Sequence, residues 1–375
     1  VLQKKDIKIY ISGNINGSYR AQNIIKCLGD EGIKFHYSPI GYLASRIKIK
    51  YLRKIISIST AFLIAPYRII IIALSSHVFV LPMNQSASAI AEILIGKLFR
   101  KKIIVDYYIS LYDTIVNDRK IALKNSIAGK ISFLKDWLLL KSASQVIFLN
   151  NSESIYYTKI AGQAIDSSRI KIIPLCIDYK KETFSSRKIS KNDFNVCWWG
   201  TYIPLHGLNN VIEAFSYIKN KEIKLHLFGD SDLKAQPYIK KINELGLQNQ
   251  IFVVNNYSFA NGKLAPHLVT NCDLSIGNFG DSEKAKTVLV NKLVDSLSLG
   301  IPCLTMSTSA TRELFDKDEG LIISESDPRE IARSIEKCAE DRERIFSIGQ
   351  AGKKKYFEMF SPDSFKLKLI EVLMN

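Results

Sequence analysis

The chain has 375 residues, 47% hydrophobic and 23% charged, with 19 Gly and 10 Pro; this length predicts two domains of ordinary size, and the composition excludes a disordered or low-complexity chain. Lys and Arg outnumber Asp and Glu by 52 to 36, a net charge of +16, and residues 1–180 carry 26 basic and 11 acidic side chains, +15 of that total. The first half is therefore expected to face something anionic.

The chain opens with an apolar, β-branched run at Ile7 to Ser12, then the turn-rich Gly13-Asn14-Ile15-Asn16-Gly17 and a helical pattern from Ser18 to Leu28. Strand, glycine loop and helix make a βα unit whose loop, Gly13 to Gly17, is suited to an anion, with Arg20 one turn into the helix behind it. The basic run Arg46 to Lys54, followed by an apolar segment, fits a surface that touches anionic lipid head groups, or a solvated helix face. The most apolar stretch, Ile55 to Met83, is broken by Pro66, Arg68, Ser75, Ser76 and His77, which argues against a membrane-spanning helix. Val1 to Lys8 does not resemble a secretion signal, so the expected compartment is the cytoplasm.

Strands are predicted next at His77 to Leu81, Lys102 to Tyr107 and Gln145 to Leu149, separated by segments of helical length, which makes a parallel sheet with crossover helices. Asp106 ends one of these strands, where it would orient an acceptor hydroxyl, act as a base, or cap the following turn. The polar stretch Asp178 to Asp193 reads as the interdomain link, which sets domains of 1–180 and 190–360 and leaves a closing helix within 361–375 that packs toward the first domain. Beyond it the rhythm restarts, with strands at Phe194 to Trp199, Lys224 to Phe228, Gln250 to Val254, Leu274 to Ile276, Pro302 to Thr305 and Leu321 to Ile323, and helices such as Leu208 to Lys219 and Asp363 to Met374.

The six cysteines form no C-x-x-C pair and read as reduced core thiols. The five histidines show no H-E-x-x-H spacing, so neither a bound metal nor a resident cofactor is expected. Asp230-Ser231-Asp232 spells a D-x-D that could bind a divalent cation, but it follows a strand at a place where a plain turn is the simpler reading. His226 alternates with core residues and reads as structural.

Two segments carry the chemistry. Trp198-Trp199-Gly200-Thr201 runs through Pro204-Leu205-His206-Gly207 into a helix, placing Gly200 and Gly207 where a phosphate could approach the backbone and His206 where it could donate to that phosphate. Downstream, the strand Asp273 to Ile276 leads through a basic loop with Lys284 to a helix opened by Asn291 and Lys292, where amides and a cation together can hold a diphosphate. Asp295 lies one turn further, a carboxylate suited to ribose hydroxyls. Gly300-Ile301-Pro302 then enters another strand.

In this order the segments resemble the C-terminal domain of GT-B fold glycosyltransferases, in particular the large family four. Gly200, Thr201, His206 and Gly207 fill the places of that family's glycine loop. The family's two glutamates, seven residues apart, fall on Thr287 and Asp295 when aligned on Gly300-Ile301-Pro302. The first acid is thus lost and the second kept as a shorter Asp. A subgroup pattern Lys-Ala-x-x-Val-x-x-Asn-Lys is matched by Lys284, Ala285, Val288, Asn291 and Lys292. Asp106 to Thr114 with Asp118-Arg119 is similar to the same subgroup, and the likeness runs from about Ile7 to Ile370.

The resemblance implies an α/β GT-B fold: two facing Rossmann-like, doubly wound domains with a cleft between them. It implies a nucleotide diphosphate sugar as donor substrate, held by the second domain, and a glycan or lipid-linked acceptor held by the first, with metal-independent, retaining transfer. Asp106 and His206 are then the candidate catalytic groups. Gly13, Gly17, Arg20, Gly200, Thr201, Gly207, Lys284, Thr287, Asn291, Lys292 and Asp295 are the candidate donor-binding residues. The setting implied is assembly of a bacterial polysaccharide or glycolipid, peripheral to the inner face of the cell membrane. Alternatives are a nucleotide-sugar epimerase of the same fold, an inactive nucleotide-sugar-binding module, and, on net charge alone, a nucleic-acid binder, for which no recognition motif is present.

Overall fold

The computed structural model describes residues 6–16, 18–37, 63–178 and 193–375. Gly17, the run Arg46 to Lys54 and most of the link between Asp178 and Asp193 lie outside the described residues. The chain divides into two compact units, one of Val1–Pro174 with Phe365–Asn375 and one of Leu175–Ser364.

In the first unit six parallel strands, β1 (Lys8–Ser12), β2 (Lys34–Tyr37), β3 (His77–Val80), β4 (Lys102–Asp106), β5 (Gln145–Phe148) and β6 (Ile170–Ile172), stand in the order β2-β1-β3-β4-β5-β6. β3, β4 and β5 are buried at nearly every position because helices cover the sheet, as parallel strands require. Helices start where a short polar side chain accepts an otherwise unpaired amide: Ser18 from Ala21, Ser86 from Ala89, Ser126 from Gly129 and Asn150 from Glu153. The helix Pro362–Met374 returns its later part to this unit, with Phe365, Leu369 and Leu373 buried and Lys102 Nζ donating to the Val372 carbonyl at 2.9 Å.

The second unit repeats the plan with β7 (Phe194–Gly200), β8 (Ile223–Gly229), β9 (Ile251–Val253), β10 (Leu274–Ile276), β11 (Cys303–Met306) and β12 (Leu321–Ser324), in the order β12-β11-β10-β7-β8-β9 and again all parallel. Its core is built on Phe194, Val196, Trp198, Leu225, Leu227, Ile276 and Phe279 under the helices Leu208–Ala214 and Pro328–Glu340.

Every strand expected from the sequence is present within two residues at each end, and β2 and β6 are additional. The helix expected over Leu208 to Lys219 ends at Ala214. No helix among the described residues is long and apolar enough to cross a membrane. All six cysteines are buried, and none is in a disulfide.

Candidate functional site

In each sheet the first strand is flanked by a strand reached directly and one reached by crossing back, and ligands of such sheets bind beyond the carboxyl ends of the strands at that switch point. In the second unit this point lies between β7 and β10. Gly200 ends β7, and the loop Gly277 to Gly280 follows β10.

Trp198 and Trp199 send their indoles to opposite faces of β7, as alternation along a strand dictates. On one face Lys292, second residue of the helix Asn291–Leu299, places Nζ 4.3 Å from the centre of the Trp198 ring. Lys292 is 3% exposed, and its ammonium has no hydrogen-bond partner among the described residues. Burial drives its pKa well below the ordinary lysine value, with Cys303 and Asp295 pulling weakly the other way. The ring of His206 meets the same indole edge-on at 6.0 Å. Its Nδ1 is buried and unpartnered, and burial, then the nearby Lys292, holds its pKa well below 6.5, so the imidazole is neutral at pH 7. Trp198 Nε1 is a third buried polar atom without a partner.

Gly200 stands among these groups with φ +134°, a conformation that L side chains rarely adopt, and a Cβ there would lie 3.6 Å from Lys292 Nζ and 3.8 Å from His206 Nε2. Glycine therefore leaves open the space toward which an unpaired cation and an imidazole converge. Thr201, exposed, follows directly. On the other face of β7, Trp199 Nε1 donates to Asp295 Oδ2 at 2.8 Å, so one oxygen of the shortened acid is fixed by the strand.

Gly207 does not offer its backbone to a ligand. With φ +61° it closes against the loop after β10, where any Cβ would overlap the Phe279 carbonyl, and a Cβ on Gly280 would likewise overlap the Leu205 carbonyl. Phe279 N donates to the His206 carbonyl at 3.2 Å and Asn210 Nδ2 to the Phe279 carbonyl at 3.2 Å. The glycines thus lock two loops together and fix the backbone that carries His206. Asn278, buried, organises the second loop by donating Nδ2 to the Ala285 carbonyl at 2.7 Å.

Lys284 is buried in the segment before the helix, and its carbonyl accepts from Thr287 and Val288. The Thr287 hydroxyl donates to the Glu283 carbonyl at 2.8 Å, a local turn contact in place of the reach a glutamate would have. Asn291 begins the helix directly after Val290, its N-cap residue, so first-turn amides lie beside Lys292.

The D-x-D acids have structural partners. Asp230 accepts from Tyr202 N and pairs with Lys234, and Asp232 accepts from Asn255 Nδ2 at 2.7 Å. Among the described residues no group of three or more His, Cys, Asp or Glu is placed to hold a metal ion.

In the first unit the switch point lies between β1 and β3, and Gly13, φ +129°, ends β1 there. A Cβ on it would press on Leu81 Cβ at 3.0 Å and Asn84 Nδ2 at 3.2 Å. Arg20 and Asp106 do not sit at an open surface. Arg20 is 1% exposed; its Nε donates to Asp106 Oδ1 at 3.1 Å and Oδ2 at 2.9 Å, its other nitrogens reach the carbonyls of Pro174 and Ile173, and its guanidinium lies over Phe365. The two form an internal ion pair joining the helix Tyr19–Asp30 to β4 and to the returning C-terminal helix. This corrects the expectation of Asp106 as a base and of Arg20 as a donor ligand: burial raises the Asp106 pKa, Arg20 opposes that shift, and both carboxylate oxygens are engaged.

Residues 180–355 match the family model described as Glycosyl transferases group 1. A search of curated protein sequences returns no match. Among solved structures, Anabaena Alr3699/HepE in complex with UDP-glucose is similar at 17% identity and TM-score 0.64, covering 98% of this chain and 99% of that one. Sucrose-phosphate synthase from Thermosynechococcus elongatus is similar at 12% identity and TM-score 0.72, covering 98% of both chains. The lipopolysaccharide outer core galactosyltransferase WaaB, in its apo form, is similar at 12% identity and TM-score 0.58, also over 98% of both chains. Identities this low speak to the fold alone.

Proposed function

We propose that this chain, whose residues 180–355 match the glycosyl transferases group 1 model, is a GT-B glycosyltransferase that transfers a sugar from a nucleotide diphosphate donor to a glycan or lipid-linked acceptor presented at the inner face of the cell membrane. The observation that supports this most is the unpartnered Lys292 ammonium, held over Trp198 and beside His206 where Gly200 leaves room.

Transfer requires stabilisation of the negative charge that builds on the departing diphosphate. Lys292 in its protonated form supplies a cation without a hydrogen-bond partner among the described residues, the first amides of the helix Asn291–Leu299 supply donors, and a neutral His206 donates one more hydrogen bond. These groups would do without a metal what a divalent cation does elsewhere. Asp295, whose carboxylate accepts from Trp199 Nε1, also accepts a ribose hydroxyl in this reading. The reaction retains anomeric configuration, as the family resemblance implies, and the acceptor is held by the first unit.

A panel of nucleotide diphosphate sugars, screened by thermal shift and by hydrolysis in the presence of EDTA, tests this reading. One donor is expected to raise the melting temperature of the wild type but not of Lys292→Ala. A panel in which no member shifts the protein, or shifts both proteins alike, sinks it.

A further inference from the structure

Three helices of the first unit, Ala65–Leu74, Ala87–Leu98 and Ile127–Ser142, pack side by side against its sheet. Surface helices ordinarily turn apolar residues inward and charges outward; these bury Ile72, Ile93, Leu139 and Leu140 in the core, yet they also leave large aliphatics outside and take acids inward. In the first, the one charged side chain, Arg68, is buried and pairs with Glu92 at 3.1 Å, while Ile70 and Leu74 are 56% and 69% exposed. In the second, Glu92 and Gly96 face inward and Leu98 is 77% exposed. In the third, Gly129, Ser132 and Asp136 are buried and Ile131 lies outward.

The charges are as uneven as the aliphatics. Both acids of the three helices, Glu92 and Asp136, are buried, so every charge these helices show to solvent is a lysine: Lys97, Lys130, Lys135 and Lys141. Asp136 is taken up inside by Ser110 and by the amides of Leu111 and Tyr112. An outward face of branched aliphatics and lysines with no acid matches the boundary between head groups and acyl chains of an anionic leaflet. A second copy of this chain is a poor occupant, because its own lysines would meet these with no carboxylate between them.

We propose that this three-helix face seats the protein on anionic lipid. The proposal rests on the transferase reading only in that a membrane-borne acceptor is what such seating would serve; the surface itself stands on burial and charge.

The test is co-sedimentation of the full chain with phosphatidylcholine vesicles, with and without phosphatidylglycerol. Wild type is expected to pellet with the phosphatidylglycerol vesicles and weaken as salt is raised. Ile70→Glu/Leu98→Glu and, separately, Lys97→Glu/Lys130→Glu are expected to lose about tenfold or more in apparent affinity. The charge pair is fully on the surface, so it remains informative if the apolar pair disturbs folding. Equal pelleting of the charge-pair variant and wild type would overturn the proposal, as would equal binding to pure phosphatidylcholine. A wild-type dimer that Ile70→Glu/Leu98→Glu dissolves, with no vesicle binding by either, would also overturn it. Donor thermal shift in the same variants is expected to stay at the wild-type value. Vesicle binding without any donor shift would count against the transferase and leave the lipid face standing.

Discussion

Lys292 is a cation taken out of water with an indole face as its nearest offset, so the empty protein bears its desolvation and a bound diphosphate relieves it. Lys292→Met is accordingly expected to melt at or above the wild-type temperature in the absence of nucleotide. Donor affinity or turnover is expected to fall at least about tenfold, ~1.4 kcal/mol, as measured by calorimetry or initial rates. The sign of the pH effect follows: a lysine whose folded pKa lies below its unfolded value makes the folded protein bind fewer protons, so its contribution to stability rises with pH until the unfolded value near 10.5 is passed. A bound anion opposes that shift. Asp106→Asn provides the contrast: it leaves Arg20 buried with its charge uncompensated, and the expected loss is about 3–5 kcal/mol of stability in denaturant unfolding. Loss of turnover at unchanged stability would restore Asp106 as a catalytic candidate. The sequence could place Asn291, Lys292 and Asp295 on the first turns of one helix because a helix start and a one-turn spacing are local. It could not reveal Arg20 with Asp106, which lie 86 positions apart, nor the part played by Trp198, since a tryptophan inside an apolar strand looks like core whatever lies over its ring.

The loops after β7 and β10 form one interlocked element, and Gly207 is where it closes. Gly207→Ala meets both a left-handed backbone and the Phe279 carbonyl, so it should cost on the order of 1–3 kcal/mol and displace His206. The readout is a lower melting temperature together with weaker donor binding, and Gly246→Ala, with φ +68° and open space around it, serves as a control that carries the strain without the collision. The strands buried on both faces were legible because a continuous β-branched run admits few other readings. β2 and β6 were missed because both are short edge strands, Lys34–Tyr37 alternating exposed and half-buried residues and Ile170–Ile172 half-buried throughout. Apolar periodicity also gave no warning of the aliphatics that three helices leave outside, since a stripe of Ile and Leu is ordinarily assigned to the inside.

At the scale of the molecule, the repeated α/β rhythm announced two units, and the basic excess lies almost wholly on the first half of the chain. Composition gave no hint that the first unit is discontinuous. Deleting residues 365–375 removes Phe365, Leu369 and Leu373 from its core, at about 1.5–3 kcal/mol for each buried side chain. Hydrogen exchange should show protection falling across β1 to β6 while the core of the second unit around Trp198 keeps its own; uniform loss, or none, would contradict the division.

That discontinuity sets an order of events during synthesis. Domains generally fold as they emerge, earliest first, but here the earliest residues wait for the last: Arg20 and Phe365 stack only once the second unit has been translated in full. The nascent chain therefore closes its later lobe while the earlier one is unfinished, with apolar side chains in the open for the length of an intervening lobe. A chaperone holding early segments would find its longest window there.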